Sequence, residues 1–450
     1  MDGPALTAFK EPLSDEEKMR GLPWSVASQT LNSVFCLTTV FGSIFLLFLT
    51  ELGFSKHIIG LLLALFPFCG LMAPFISGFV EYFGNKRTFL LCYGIRKLVI
   101  ASLMLLPWIM NRFGETHAIY LLIGVVVVFA ILRAIGETAY YPWMKECIPD
   151  RVRGKYSATV NVFCGIASLI TISFAGKIIG RAGGIEKYTF LIGIGCIAGI
   201  LSVYLMKFVP GGEPHRTKRK TMLLSVEALE PLKDRNFLYF LTAVGTALFG
   251  ATLMVFTPLF VKEKLGIVPG GVVLLDNATI MGSLFLSFLW GWMADRYGGR
   301  PVIVLTLSIY SCVSLGWLTL SRSNPSVAVF VAILYFFSGG TINGRAVGDT
   351  RVLYSGILPE EGTVYYTSIH YAWMGLVGGL SPLIAGYILK KLSGFSIMFG
   401  GRVVDAYVII FAANMLCQLI AIVLYRKVKP DKRVKTRHLL FRMIRQTMRW

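Results

Sequence analysis

Arg133-Ala134-Ile135-Gly136-Glu137-Thr138 and Arg345-Ala346-Val347-Gly348-Asp349-Thr350 are one motif written twice, 212 residues apart, inside hydrophobic stretches. Ile148-Pro149 recurs as Leu358-Pro359, and Ala175-Gly176-Lys177 as Ala385-Gly386-Tyr387, at nearly the same offset. Two halves of similar length therefore descend from one unit. A charge deep in a bilayer is costly, so a duplicated Arg/acid pair at helical i,i+4 spacing is not filler.

A hydrophobic fraction of 55%, a mean hydropathy of +0.67 and only 15% charged residues exclude soluble globular chemistry. A hydrocarbon core of about 30 Å needs about 20 apolar residues per crossing. Such runs occur at 24–50, 58–80, 88–110, 117–142, 156–176, 188–208, 237–261, 271–294, 302–321, 327–351, 364–389 and 403–425. The expected fold class is an all-α membrane protein, with twelve transmembrane helices in two pseudo-symmetric six-helix bundles. The expected divisions are an N-terminal segment 1–23, a bundle 24–208, a linker 209–236 that starts Val-Pro-Gly-Gly, a second bundle 237–426 and a basic tail 427–450.

The net charge of +20 would suit nucleic acid in a soluble chain, but its distribution points elsewhere. With the N-terminus inside, 28 of the 44 Lys and Arg fall in cytoplasmic segments, 11 in external loops and five within spans. The positive-inside rule thus places both termini in the cytoplasm, and no nucleic-acid partner is expected. Ser14-Asp15-Glu16-Glu17 is a capping-box pattern that predicts a short helix at the inner surface before span 1. In the tail, Phe441, Ile444 and Met448 share one helical face and Arg442, Arg445 and Arg449 the other, a pattern suited to anionic inner-leaflet lipid.

The eight cysteines are scattered, form no Cys-x-x-Cys pair and imply neither disulfide nor metal. The acidic first 23 residues have no signal-peptide core, so span 1 is expected to act as its own insertion signal. Catalytic and nucleotide-binding motifs are absent, and neither enzyme activity nor a cofactor is expected. The one Asn-x-Ser/Thr sequence, Asn277-Ala278-Thr279, lies inside a span. With the short loops, this points to a bacterial inner membrane.

Between spans 8 and 9 stands Gly291-Trp-Met-Ala-Asp295-Arg296-Tyr-Gly298-Gly-Arg300. It resembles the loop signature of the major facilitator superfamily, Gly-x-x-x-Asp-Arg-x-Gly-x-Arg, at every fixed position. Between spans 2 and 3, Ser77, Glu81, Gly84, Lys86 and Arg87 form a worn copy, with Tyr82 in place of the first basic residue. Glycines allow a tight turn, and the acid and bases can clasp helix ends. Glu146 to Arg153-Gly154 also resembles the superfamily's Glu-x-x-Pro-x-x-x-Arg-Gly loop of sugar porters; the counterpart at Pro359-Glu360-Glu361 lacks the basic residue. The Arg133 motif is similar to the Arg-x-x-Gln-Gly signature of drug exporters, without its Gln.

The resemblance implies alternating access, with spans 1, 4, 7 and 10 lining a central cavity. Spans 4 and 10 carry the repeated charges. At about 1.5 Å per residue, Arg133 lies roughly 24 Å and Arg345 roughly 27 Å from the external end, a depth that favours a gate. Arg133 and Asp349, and Arg345 and Glu137, can exchange partners across the pseudo-two-fold axis, or each pair can stay within its own helix. Glu137, Asp349 and Asp276 are the acids available to carry a coupling proton. Asp276 also reads as an acid at a wet helix end.

Gln29, Asn32 and Ser33 in span 1, Asn161 in span 5, Asn343 in span 10, and His370 and Trp373 in span 11 make up the polar inventory for substrate binding. That inventory suits a sugar or small carboxylate. Each of these residues is also a candidate helix-helix contact. Arg96 and Lys97 in span 3 read as cations snorkelling to the interface. The expected function is therefore proton-coupled symport of a small organic solute by a monomer. The alternatives are a proton-driven exporter and a non-transporting scaffold or receptor.

Overall fold

In lipid every backbone polar group must be satisfied within the chain, which leaves helices and closed β-barrels, and continuous apolar runs of about 20 residues suit the helix. The computed structural model describes residues 14–72, 80, 83–181, 183–213, 226–320, 326–359, 363–399 and 402–429. Twelve helical stretches follow in order. In the first half they are α1 (Asp15–Thr39 with Ser43–Glu51), α2 (Lys56–Cys69), α3 (Asn85–Phe113), α4 (Glu115–Cys147), α5 (Arg153–Arg181) and α6 (Glu186–Met206). In the second they are α7 (Arg235–Glu263), α8 (Pro269–Tyr297), α9 (Gly299–Thr319), α10 (Val327–Val352), α11 (Thr363–Lys391) and α12 (Ala406–Lys427). Eleven are long and apolar enough to cross a membrane; α2 is described over 14 residues only. The protein is a multi-pass membrane protein. Ser77 and Glu81 of the first loop copy and the tail from 430 onwards lie outside the described residues.

Short connections make successive helices antiparallel, which gives the molecule two ends. One end carries a β-hairpin, Ser396–Phe399 paired antiparallel with Arg402–Asp405. The other carries the segment joining the halves. They are called the hairpin end and the linker end below. The hairpin was not expected, although a Gly-Gly pair between β-prone runs is a hairpin signature in sequence. Asp405 closes it onto α12, accepting from the Tyr407 and Val408 amides at 3.0 and 3.1 Å.

Gly84 and Gly298 sit at matching places in the two halves, each capping the next helix with φ of 90° and 92°. A side chain in that region costs about 1–3 kcal/mol. Gly298→Ala is expected to lower the melting temperature of the detergent-solubilised protein. Gly291→Ala, where an added Cβ meets open space, should leave it unchanged.

The lead-in segment departs from expectation. Among the described residues no separate surface helix precedes span 1: the capping box forms, with Glu17 N 3.3 Å from Ser14 Oγ, and the helix then runs unbroken through Pro23 to Thr39. Tertiary contacts hold it upright. Ser25 bonds Tyr156 at 2.6 Å, Ser28 donates to the Ser202 carbonyl at 2.7 Å, and Asp15 pairs with Arg151 at 3.2 Å.

The halves touch through glycine. A Cβ on Gly60 of α2 would lie 2.5 Å from the Pro382 carbonyl oxygen of α11, and one on Gly270 of α8 would lie 2.5 Å from the Gly176 carbonyl oxygen of α5. Small residues let backbones approach this closely. Both contacts are towards the hairpin end. So are the two ion pairs that join the halves among the described residues, Lys56–Glu263 at 2.6 Å and Lys262–Glu51 at 3.4 Å.

Candidate functional site: a cavity between the halves

Below this closure lies a cavity of about 640 Å³ whose wall is drawn from both halves. Two of its helices are broken there. Helix α1 stops at Thr39 and restarts at Ser43 after Gly42, whose φ of 83° suits glycine. Helix α7 tightens into a 3-10 turn over Met254–Phe256 before resuming at Thr257. These breaks fall at corresponding places in the two halves. Discontinuous helices expose backbone donors only where a cavity or a partner can use them.

The restarted α1 uses its donors on Asp276 of α8. Ser43 N lies 3.2 Å from Asp276 Oδ2, and Ser43 Oγ lies 2.9 Å from Oδ1. The first-turn amide of a helix thus reaches a carboxylate of the other half. Asp276 is half-buried and lines the cavity.

The repeated charge pairs are present within their own helices. Arg133 Nε lies 2.7 Å from Glu137 Oε1, and Arg345 Nη1 lies 2.7 Å from Asp349 Oδ2. Their surroundings differ. Arg133 and Glu137 line the cavity with about a third of each side chain exposed, 31% and 38%, and the guanidinium stands 5.2 Å from the Phe41 ring centre. Arg345 and Asp349 are buried inside the second half, and Tyr425 Oη donates to Asp349 Oδ1 at 2.5 Å. One pair faces the solute space. The other is sealed by α12.

The polar residues expected to bind substrate lie away from the cavity wall. Gln29 bonds Tyr140, and Asn32 accepts from Lys97 at 2.6 Å and Arg96 at 3.3 Å, beside a separate 40 Å³ pocket within the first half. Ser33 returns its hydroxyl to the Thr30 carbonyl at 2.7 Å. Asn343 bonds Ser283 Oγ at 2.7 Å, Trp373 donates to the Leu241 carbonyl at 2.9 Å, His370 stacks on Phe240, and Asn161 is exposed on α5. Arg96 and Lys97 correct the snorkelling expectation. They are 2% and 0% exposed, turned inward between the rings of Phe35 and Tyr93. A cation-π face and the Asn32 oxygen hold them inside the bundle.

The loop motifs clasp helix ends. Lys86 Nζ donates to the Lys207 and Val209 carbonyls at the end of α6, and Arg300 donates to the Arg426 carbonyl at the end of α12. Asp295 pairs with Arg351 at 2.6 Å, Arg296 stands 5.6 Å from the Trp292 ring centre, and Glu146 accepts from the Gly212 amide at 3.0 Å. Arg87 and Arg153 are exposed. These contacts brace each half and lie outside the cavity.

The model of the Major Facilitator Superfamily matches residues 30–348 and 239–445. The chain belongs to the major facilitator superfamily. Among curated proteins, MFS transporter asaE of Aspergillus flavus is 22% identical over 275 residues, covering 59% of this chain and 58% of that protein. Protein ZINC INDUCED FACILITATOR-LIKE 1 of Arabidopsis thaliana is 28% identical over 141 residues, covering 31% and 27%. The chain thus spans less than two thirds of the length of either relative. Among solved structures, the D-xylose-proton symporter superposes with a TM-score of 0.67 at 14% identity, over 94% of this chain and all of that one. The nucleoside transporter NupG superposes with a TM-score of 0.64 at 14% identity, over 92% and 98%. At such identities the likeness is one of fold.

Sequence reasoning missed Phe41, Ser43, Tyr310, Trp317 and Tyr335 as cavity residues. Gly42-Ser43 inside an apolar run was the available signal for the break. The aromatic residues carry none, because periodicity cannot separate a cavity face from a core face.

Proposed function

We propose that this chain is a secondary active transporter that moves a small organic solute across a cytoplasmic membrane by alternating access, coupled to protons. The observation that carries the reading is a cavity between two halves that are tied together at the hairpin end, with an ion pair in its wall. The charge bias of the loops supports a cytoplasmic linker end, which makes this conformation the inward-open one. Within-helix pairing of Arg133 with Glu137 and Arg345 with Asp349 fits that state. In the outward-open state, Arg133 would turn to an acid of the second half and close the linker end. A single copy contains the whole cavity, so a monomer suffices.

A sugar or small carboxylate was the expected solute. The mostly apolar wall argues for an amphipathic one, and favours a second reading, proton-driven export. The discriminating experiment is solute flux in proteoliposomes, using a mixed metabolite pool read by mass spectrometry under inward, outward and no proton gradient. Gradient-driven accumulation of one solute supports import, and gradient-driven depletion supports export. No flux under any gradient overturns the transport reading and returns weight to a scaffold.

A further inference from the structure

We infer that the cavity recognises an organic cation, with Asp276 as its counter-ion, and that this cation and a proton exchange on that one carboxylate. The inference deepens the transport reading above and rests on it for direction only; the binding chemistry stands on the residues themselves.

Among the described residues, three charged side chains reach the cavity wall: Arg133, Glu137 and Asp276. The first two neutralise each other at 2.7 Å. Asp276 has no Lys, Arg or His partner among the described residues, and its two contacts are the Ser43 amide and hydroxyl. A carboxylate offers about four lone-pair sites, so two remain for a ligand. From α10, Tyr335 is the titratable group facing it, its hydroxyl buried and unbonded; the neighbouring Asn277 amide is turned to Ser173 at 2.9 Å. The described wall of the cavity thus holds one uncompensated negative charge.

The rest of the wall decides the ligand's class. Phe41, Phe66, Tyr310, Trp317 and Tyr335 contribute aromatic surface, and Trp317 and Tyr335 pack edge to face at 5.7 Å. Aromatic faces and an unpaired carboxylate together attract cations with apolar bodies. An anion would meet a like charge.

The same carboxylate is also the tie between the halves. Hydrogen bonds to an ionised acceptor are roughly twice as strong as neutral ones. An empty, ionised Asp276 therefore holds Ser43 and keeps the hairpin end shut. A proton, or a bound cation that draws on the same charge, loosens that hold and lets the end open. Only loaded forms change conformation, and one carboxylate cannot serve both loads at once. The outcome is exchange of cation for proton.

The test uses the full chain in nanodiscs with three probes of related shape: tetraphenylphosphonium, neutral triphenylphosphine oxide and anionic tetraphenylborate. The phosphonium is expected to bind most tightly, to weaken as pH is lowered, and to release a proton only at the acid pH where Asp276 starts out protonated, read in buffers of different ionisation heat. Asp276→Asn should weaken it about tenfold or more, while Asp276→Glu retains it. Equal binding of all three probes by the unaltered chain overturns the inference without recourse to any variant. So does an Asp276→Asn protein of unchanged melting temperature and unchanged phosphonium affinity. Cation binding that depends on Asp276 without flux in proteoliposomes would defeat the transport reading alone. Flux of an uncharged solute, indifferent to phosphonium, would defeat this inference alone.

Discussion

Arg345→Ala and Arg133→Ala are expected to fail in different ways, although they remove the same residue of the same repeated motif. Arg345 and Asp349 have side chains 9% and 12% exposed, and Asp349 also accepts from Tyr425. Removing the guanidinium strands a carboxylate inside the second half, at a cost of about 3–5 kcal/mol. Arg345→Ala protein should therefore express poorly and melt at lower temperature. Arg133 and Glu137 stand in the open cavity wall, where loss of the pair costs about 1 kcal/mol or less. Arg133→Ala should fold and melt close to the parent, yet its flux should fall to that of empty liposomes. Thermal melts and flux measured on the same preparations check both halves of this contrast. Equal thermal losses would mean that the burial difference does not matter.

Gly60→Leu is expected to turn the cavity towards the opposite side of the membrane. An added Cβ at Gly60 lies 2.5 Å from a backbone carbonyl and 3.1 Å from Gly386 Cα, so neither neighbour can yield as a side chain would. Overpacking costs about 1–3 kcal/mol. Here that cost falls only on the conformation closed at the hairpin end, and about 2 kcal/mol would shift the balance of states roughly thirtyfold. Ser338 lines the cavity, so Ser338→Cys reports access once the native cysteines are replaced by serine. The thiol should react from the linker side in the parent and from the hairpin side with Gly60→Leu. Unchanged sidedness would mean that the glycine contact does not hold this state.

The helices and the duplication were legible because both are local properties: an apolar run long enough to span, and a motif repeated at constant offset. What was illegible depended on partners distant in sequence. Ser43 and Asp276 are 233 residues apart, and nothing in either neighbourhood announces the other. The inequality of the two charge pairs is set by Tyr425, 76 residues beyond Asp349. The polar inventory looked like a binding site because a polar group in an apolar run needs a partner. Asn32, Asn343 and Trp373 found theirs on neighbouring helices. Arg96 and Lys97 read as interfacial from their spacing along α3, but the rings of Phe35 and Tyr93 provide an interior alternative. The break in α1 needed weight on one glycine, where hydropathy alone reads straight through.

Under the proposed alternating access, the two halves must separate at the hairpin end for transport to occur. Lys56 and Glu263 face each other across that closure at 2.6 Å. With both replaced by cysteine in a chain otherwise free of cysteine, a short reducible cross-linker should join the halves. Flux in proteoliposomes should then stop and return on reduction. Full cross-linking with undiminished flux would contradict alternating access in this protein.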